Sequence, residues 1–118
     1  MDERMDISYL RLSKEDGDVE DGSIDESCSI QSQRTCIKQY LHRNGFSVDR
    51  LSEIIDDGYS GTTMNRPGMN RLIKLVESGK VRTIIVRDFS RFARSYLEAG
   101  HYLEFIFPVY NVRFISIN

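Results

Sequence analysis

The sequence has too little cysteine for a disulfide framework or a zinc centre. Cys28 and Cys36 stand eight apart, with no C-x-x-C pair and no histidine beside them, whereas a zinc site takes about four Cys or His ligands at recognisable spacing. The two read as reduced thiols partly packed in a core. No run approaches the roughly 20 apolar residues that cross a membrane, so no membrane partner is expected. The amino terminus, MDERMD, is acidic and carries no secretory signal, which points to the cytoplasm. Histidine is equally scarce. His42 and His101 both fall in segments with a helical pattern, away from any strand-end serine, and this argues against a Ser-His-Asp triad. There is no G-x-x-x-x-G-K-S/T run and no G-x-G-x-x-G after the first strand. Acidic residues occupy the latter place and would repel a pyrophosphate. No metal or nucleotide cofactor is expected.

What is present suffices for one small domain. The chain has 118 residues, 40% of them hydrophobic, and a typical domain holds about 100–150. The net charge of −2 conceals an uneven distribution. Residues 1–65 carry 7 basic and 14 acidic side chains, residues 66–94 carry 8 and 2, and residues 95–118 carry 1 and 2. The cationic middle segment calls for an anionic partner, although a solvated helix face would have the same composition.

Residues 5–11 alternate as a strand, with Ile7, Tyr9 and Met5 on one face. Residues 15–26 hold seven acids and no base and read as a solvated loop. Residues 28–45 keep Ile30, Ile37 and Leu41 on a helical face, with Ser27 or Ser29 as cap and Asn44-Gly45 as stop. A strand is expected over 51–56, then a loop rich in Gly, Ser and Thr. Met69, Leu72, Ile73 and Val76 define a second amphipathic helix closed by Gly79. Residues 82–88 form a third strand whose continuous apolar run suits burial on both faces. A third helix is expected over 90–107 with Pro108 as its stop, and a fourth strand over 112–117. This β-α-β-α-β-α-β order predicts an α/β fold: a three-layer domain with a mostly parallel sheet and helices on both faces.

Sites in such sheets lie beyond the carboxyl ends of the strands. Those ends carry Arg11 and Ser13, then Asp57 with its loop to Arg66, then Arg87, Asp88, Ser90, Arg91 and Arg94. Arginine's planar fork of donors matches phosphate oxygens. Arg91 and Arg94, three apart, are expected on one helical face, with that helix's amino end turned to the site. Two-metal chemistry at Asp56, Asp57 and Asp88 fits poorly among so many arginines. What remains is a serine attacking a phosphodiester, with arginines stabilising the charge.

The segments "YLRLS", "SIQSQR", "DDGYSGTTMNRPGM" and "RDFSRFARS" occur in that order. Together they resemble the catalytic domain of the serine site-specific recombinases, the resolvase/invertase family, and most closely the large recombinases of mobile elements, integrases and transposases. The resemblance covers residues 5–118 and implies a resolvase-like catalytic domain. It also implies that the chain stops before the domain's C-terminal helices and lacks the DNA-binding part. Double-stranded DNA is the implied partner, with copies of the chain forming dimers and, in the synaptic complex, tetramers. Each serine would cleave a strand through a 5′-phosphoserine ester, followed by strand exchange and religation, with no cofactor.

By motif position Ser13 would be the nucleophile and Arg11 a phosphate contact. Gln33 matches the glutamine of the following helix, Asp57 the acid opening the glycine-serine loop, Arg66 the arginine ending it, and Arg91 and Arg94 the arginine pair. Ser90 stands where small resolvases carry an aspartate and large members often a serine. Plainer readings exist for each residue: a loop serine at 13, a strand-end ion pair at Arg11, a surface arginine at 66, a solvated face at 91 and 94, a helix surface at Gln33, a turn at Asp57. Two other functions stay open, a flavodoxin- or receiver-like signalling domain and a catalytically silent recombinase-derived module.

Overall fold

A computed structural model describes residues 2–12, 19–20, 23–24, 29–59 and 63–118. Its order is β1 (Met5–Leu12), β2 (Val19–Glu20), β3 (Ser23–Ile24), α1 (Ile30–Arg43), β4 (Leu51–Asp57), α2 (Pro67–Glu77), β5 (Val81–Val86), α3 (Phe89–Phe92), α4 (Tyr96–His101), a π-helical segment (Tyr102–Ile106), α5 (Phe107–Val109) and β6 (Arg113–Ser116). The main sheet runs β4-β1-β5-β6, and every pair in it is parallel. This is the expected three-layer α/β architecture. The expected acidic loop also contains a two-stranded antiparallel pair, β2 with β3.

Chain direction explains the layers. From β1 the chain crosses one way to β4, then back the other way to β5 and β6. With right-handed crossovers, that reversal must send the helices to opposite faces. Leu10, Ile85 and Ile115 accordingly pack on Ile37 and Leu41 of α1. Ile7, Tyr9, Ile54, Ile84 and Val86 pack on the other face, against Met69, Leu72 and Val76 of α2 and Phe92 and Phe107. The reversal makes a switch point between the carboxyl ends of β1 and β5, where such sheets open a crevice. The opening is visible in the pairing. β1 stays paired with β4 as far as Leu12–Asp57, but with β5 only as far as Ser8–Ile85.

The helix ends follow one device. After α1, α2 and α5 a residue with positive φ (Gly45 72°, Gly79 73°, Asn111 55°) lets the next amide reach back five residues. Phe46 donates to Leu41, Lys80 to Leu75 and Val112 to Phe107, while Gly45, Gly79 and Asn111 donate three residues back. This is the paired pattern of a Schellman closure, which uses the last free carbonyls. At the start of α1, Ser29 Oγ accepts from the Ser32 amide at 3.0 Å.

The third helix departs most from expectation. Residues 90–107 are not one helix. A single turn, α3, ends at Phe92, Ala93 is extended (φ −156°, ψ 150°), and Ser95 caps a new start by accepting from the Glu98 amide. Burial supplies the reason. Arg91, Phe92 and Ala93 are all buried, which a helix turning about 100° per residue does not allow on one face. Nor does Pro108 stop the helix. A proline inside a helix clashes with the carbonyl four residues back. Here the preceding turn widens, with the Phe107 amide donating to Tyr102, and α5 adds a last turn through Pro108.

Packing makes unequal demands on the helices. Leu72 is fully buried, whereas Leu97 is 94% exposed. Leu72→Ala should lower the unfolding free energy by about 2–5 kcal/mol and Leu97→Ala by under about 0.5 kcal/mol, read as urea midpoints at unchanged m-value. Equal losses would contradict this packing.

Candidate active site

At the crevice the last residues of β1 have no strand on the β5 side, so their polar groups need other partners. Gln33 of α1 supplies some of them. Its Nε2 donates to the Arg11 carbonyl at 2.9 Å, and its Oε1 accepts from the Arg11 amide at 3.3 Å. Arg91 Nη1 donates to the same carbonyl at 3.1 Å. Gln33 is therefore a buried bracket between helix and strand.

The side chain of Arg11 is also buried. Its Nε donates to the Arg91 carbonyl and Nη1 to the Tyr59 carbonyl, both at 3.1 Å, and Nη2 to the Ser90 carbonyl. Arg66 Nη2 donates to the next carbonyl, that of Phe92. Three successive carbonyls at the end of α3, orphaned because the helix stops there, thus receive guanidinium N–H groups from two distant segments. The expectation that this helix turns its amino end to the site is corrected: its carbonyl end meets the arginines. Arg91 and Arg94 do not share a helical face either, because Arg94 lies beyond the break. Arg91 is buried, with its Nε 3.6 Å from the carboxylate of Asp88, whereas Arg94 is exposed.

Arg66, 1% exposed, is the N-cap residue of α2 and forms no side-chain cap bond there. Asp56 caps the helix instead. Its carboxylate accepts from the Gly68 amide at 2.8 Å and the Met69 amide at 3.0 Å, and from Tyr9 Oη at 2.5 Å. Residue 68 has to be glycine for this approach, since a Cβ there would sit 2.8 Å from the carboxylate oxygens. The Arg66 guanidinium lies over the Tyr9 ring, 5.5 Å from its centroid. Arg66 Nε and Nη1 are buried with no hydrogen-bond partner among the described residues. Burial holds the Arg66 pKa below its usual value, yet a guanidinium starts so high that it stays charged.

Asp57, next to Asp56, is exposed at the end of β4. Strand alternation separates the two: Ile54 and Asp56 point inward and Asp57 outward. The structure thus brings Arg11, Gln33, Arg66 and Arg91 together in the interior and leaves Asp57 and Arg94 at the surface. Ser13 lies outside the described residues. Sequence reasoning placed Tyr9 on the core face without its hydroxyl's partner, and considered Asp56 only as a metal carboxylate. It also passed over Glu98, whose carboxylate accepts from the Met64 amide at 2.9 Å. The inward phase of Ile54 would have flagged Asp56. The spacing of Ser95 and Glu98, that of a capping box, would have flagged the break before α4. No group of three His, Cys, Asp or Glu side chains among the described residues could hold a metal ion.

Comparison with known proteins settles the kinship. The model of the resolvase N-terminal domain matches residues 7–118. The chain belongs to the resolvase family. Among solved structures, the N-terminal catalytic domain of TP901-1 integrase is similar at 26% identity and a TM-score of 0.77, over 98% of this chain and 78% of that one. The C-terminal catalytic domain of ISC1926 TnpA, an IS607-like serine recombinase, matches at 23% identity and 0.70, over 97% and 67%. A resolvase family site-specific recombinase from Streptococcus pneumoniae matches at 24% and 0.68, over 97% and 72%. A comparison with curated proteins found no match. The chain has the catalytic-domain fold of a serine recombinase, and the family supports the recombinase class of enzyme rather than a receiver. Among the described residues no helix is long and apolar enough to cross a membrane.

The Tyr9 phenol provides a test of the buried network. Burial is the main cause that raises its pKa above the ordinary value, the Arg66 charge opposes, and the bond to Asp56 adds to the rise. A raised folded pKa gives stability that is present below the unfolded value, about 10, and lost as pH climbs beyond it. Urea midpoints should therefore fall above about pH 10, and Tyr9→Phe should flatten the fall. An equally steep fall in Tyr9→Phe would remove Tyr9 from this account.

Proposed function

We propose that this resolvase-family domain breaks and rejoins DNA strands through Ser13. The observation that carries the reading is the buried Arg66 guanidinium, two of whose nitrogens have no hydrogen-bond partner among the described residues, beside the equally buried Arg11 at the crevice. Buried polar groups are almost always hydrogen-bonded, so unsatisfied cationic donors suit an anion brought by a ligand, and a phosphate matches the guanidinium fork. Ser13 follows Leu12, the last residue of β1, in the sequence.

In this reading Ser13 Oγ loses its proton and attacks the phosphorus. The bond to the 3′ oxygen breaks, and that oxygen leaves as a hydroxyl after gaining a proton. The 5′ phosphate stays on the serine as an ester. Attack by another strand's 3′ hydroxyl reverses the step and regenerates the serine. Arg11, Arg66 and Arg91 stabilise the phosphoryl oxygens, a job that is mostly positioning and electrostatics. Arg66 meets the phosphate with the nitrogens that have no partner among the described residues, whereas Arg11, already bonded to carbonyls, exchanges such partners for phosphate oxygens when the substrate enters. Gln33 holds the end of β1, Asp57 and Arg94 line the rim, and copies of the chain assemble on double-stranded DNA as dimers and tetramers. The DNA-binding part lies in a further segment of the parent protein.

The test uses the parent protein and nicked duplexes from the sequences flanking its gene, which stall religation. After digestion, mass spectrometry should find a nucleotide ester on the Ser13 peptide and none in Ser13→Ala. An ester elsewhere, or cleavage persisting in Ser13→Ala, would sink the mechanism; a silent domain would give no ester at all.

A further inference from the structure

Position 66 combines two demands that usually conflict. It is the N-cap of an 11-residue helix, where Ser, Thr, Asp or Asn normally bonds the first free amides. Arginine cannot accept a hydrogen bond. The capping work passes to Asp56 on β4, which leaves the Arg66 side chain available to the crevice. Asp56 and Arg66 share one neighbour, Tyr9 of β1. Its ring lies beneath the guanidinium at 5.5 Å, and its hydroxyl donates to the Asp56 carboxylate at 2.5 Å.

We infer that Tyr9 and Asp56 form a positioning pair for Arg66, fixing the guanidinium relative to the end of β1. Asp56 sets where the backbone of residue 66 lies by anchoring the amides of Gly68 and Met69. Tyr9 sets where the side chain lies by giving it a flat floor, and the phenol-carboxylate bond ties both settings to one strand. All three side chains are buried, so none is interchangeable with water. Neither Tyr9 nor Asp56 touches the reacting phosphate in this arrangement, and both act through Arg66. The inference rests on the reading of Arg66 as a phosphate contact.

Single-turnover cleavage of the same nicked duplexes tests it. Tyr9→Phe keeps the ring and loses the bond to a charged acceptor; cleavage should slow about 10-fold, with DNA affinity changed by under about twofold. Tyr9→Leu loses ring and hydroxyl and should slow cleavage about 100-fold. A purely structural Tyr9 would lower the melting temperature but leave cleavage by the folded protein in the cold at the wild-type rate, and that result overturns the inference. Should Tyr9→Leu not fold, Tyr9→Phe decides, together with a measurement on the unaltered chain. The Arg66 Nε–H proton resonance should be displaced upfield by the Tyr9 ring and exchange slowly with water; an ordinary, fast-exchanging resonance overturns the pairing. Arg66→Ala separates the two levels. If it cleaves at the wild-type rate, the phosphate role of Arg66 falls and the pair with it. If it is inactive while both Tyr9 variants keep full rate, only the pair falls.

Discussion

Three consecutive carbonyls at the end of a one-turn helix need donors, and two buried arginines supply them. Most of the crevice depends on that match. Arg11 and Arg66 come from opposite sides of the β4 connection and meet at Ser90, Arg91 and Phe92. Were α3 to continue, its own amides would use those carbonyls, and the guanidiniums would have to find other acceptors or face solvent. The break at Ala93 is therefore a condition for burying the arginines. Burying charge without partners is costly; carbonyl acceptors offset much of that cost for Arg11, while two nitrogens of Arg66 have no partner among the described residues.

The rest of the crevice is satisfied by substitution, one element doing the work of another. Where β5 diverges from β1, Gln33 and Arg91 take over the hydrogen bonds a strand would make. Where arginine occupies a helix cap, a carboxylate from the neighbouring strand caps the helix. Each substitution joins segments far apart in sequence, so the region forms only when the whole sheet has formed. Its chemistry is a consequence of tertiary structure more than of any local motif.

This explains what could be read from the amino-acid order. Local periodicity located α1, α2 and the four strands of the sheet to within a few residues, because apolar faces recur at helical or alternating spacing regardless of distant partners. Their alternation implied a parallel sheet with helices on both faces, but which strands are neighbours, and so where the chain reverses and the crevice opens, is a finding of the structure. The path after β5 was not legible either. Arg91, Phe92 and Ala93 look helical until they are all required inside, and Pro108 looks like a stop until a widened turn accommodates it. Likewise Arg91 and Arg94 look equivalent by spacing but lie on opposite sides of a kink that only packing reveals. Asp56 and Asp57 look interchangeable as neighbours, and strand phase separates them. The resemblance named the motif positions without their geometry, and Ser13 lies outside the described residues.

The edges of the sheet have a further consequence. β4 and β6 are the outer strands. β6 is four residues long and begins with Arg113, while β4 presents Glu53, held by Arg34 of α1 at 2.6 Å, and ends in Asp57. Short or charged edges are poor templates for another strand. Growth of the sheet from copy to copy is thereby discouraged, although Ile55 of β4 is partly exposed, and the most exposed large apolar side chains among the described residues, Tyr96, Leu97, Phe105 and Val109, sit on the helical run before β6. Edge-to-edge stacking of this domain is thereby disfavoured, and a contact made through the helical run would form and release without unzipping a strand.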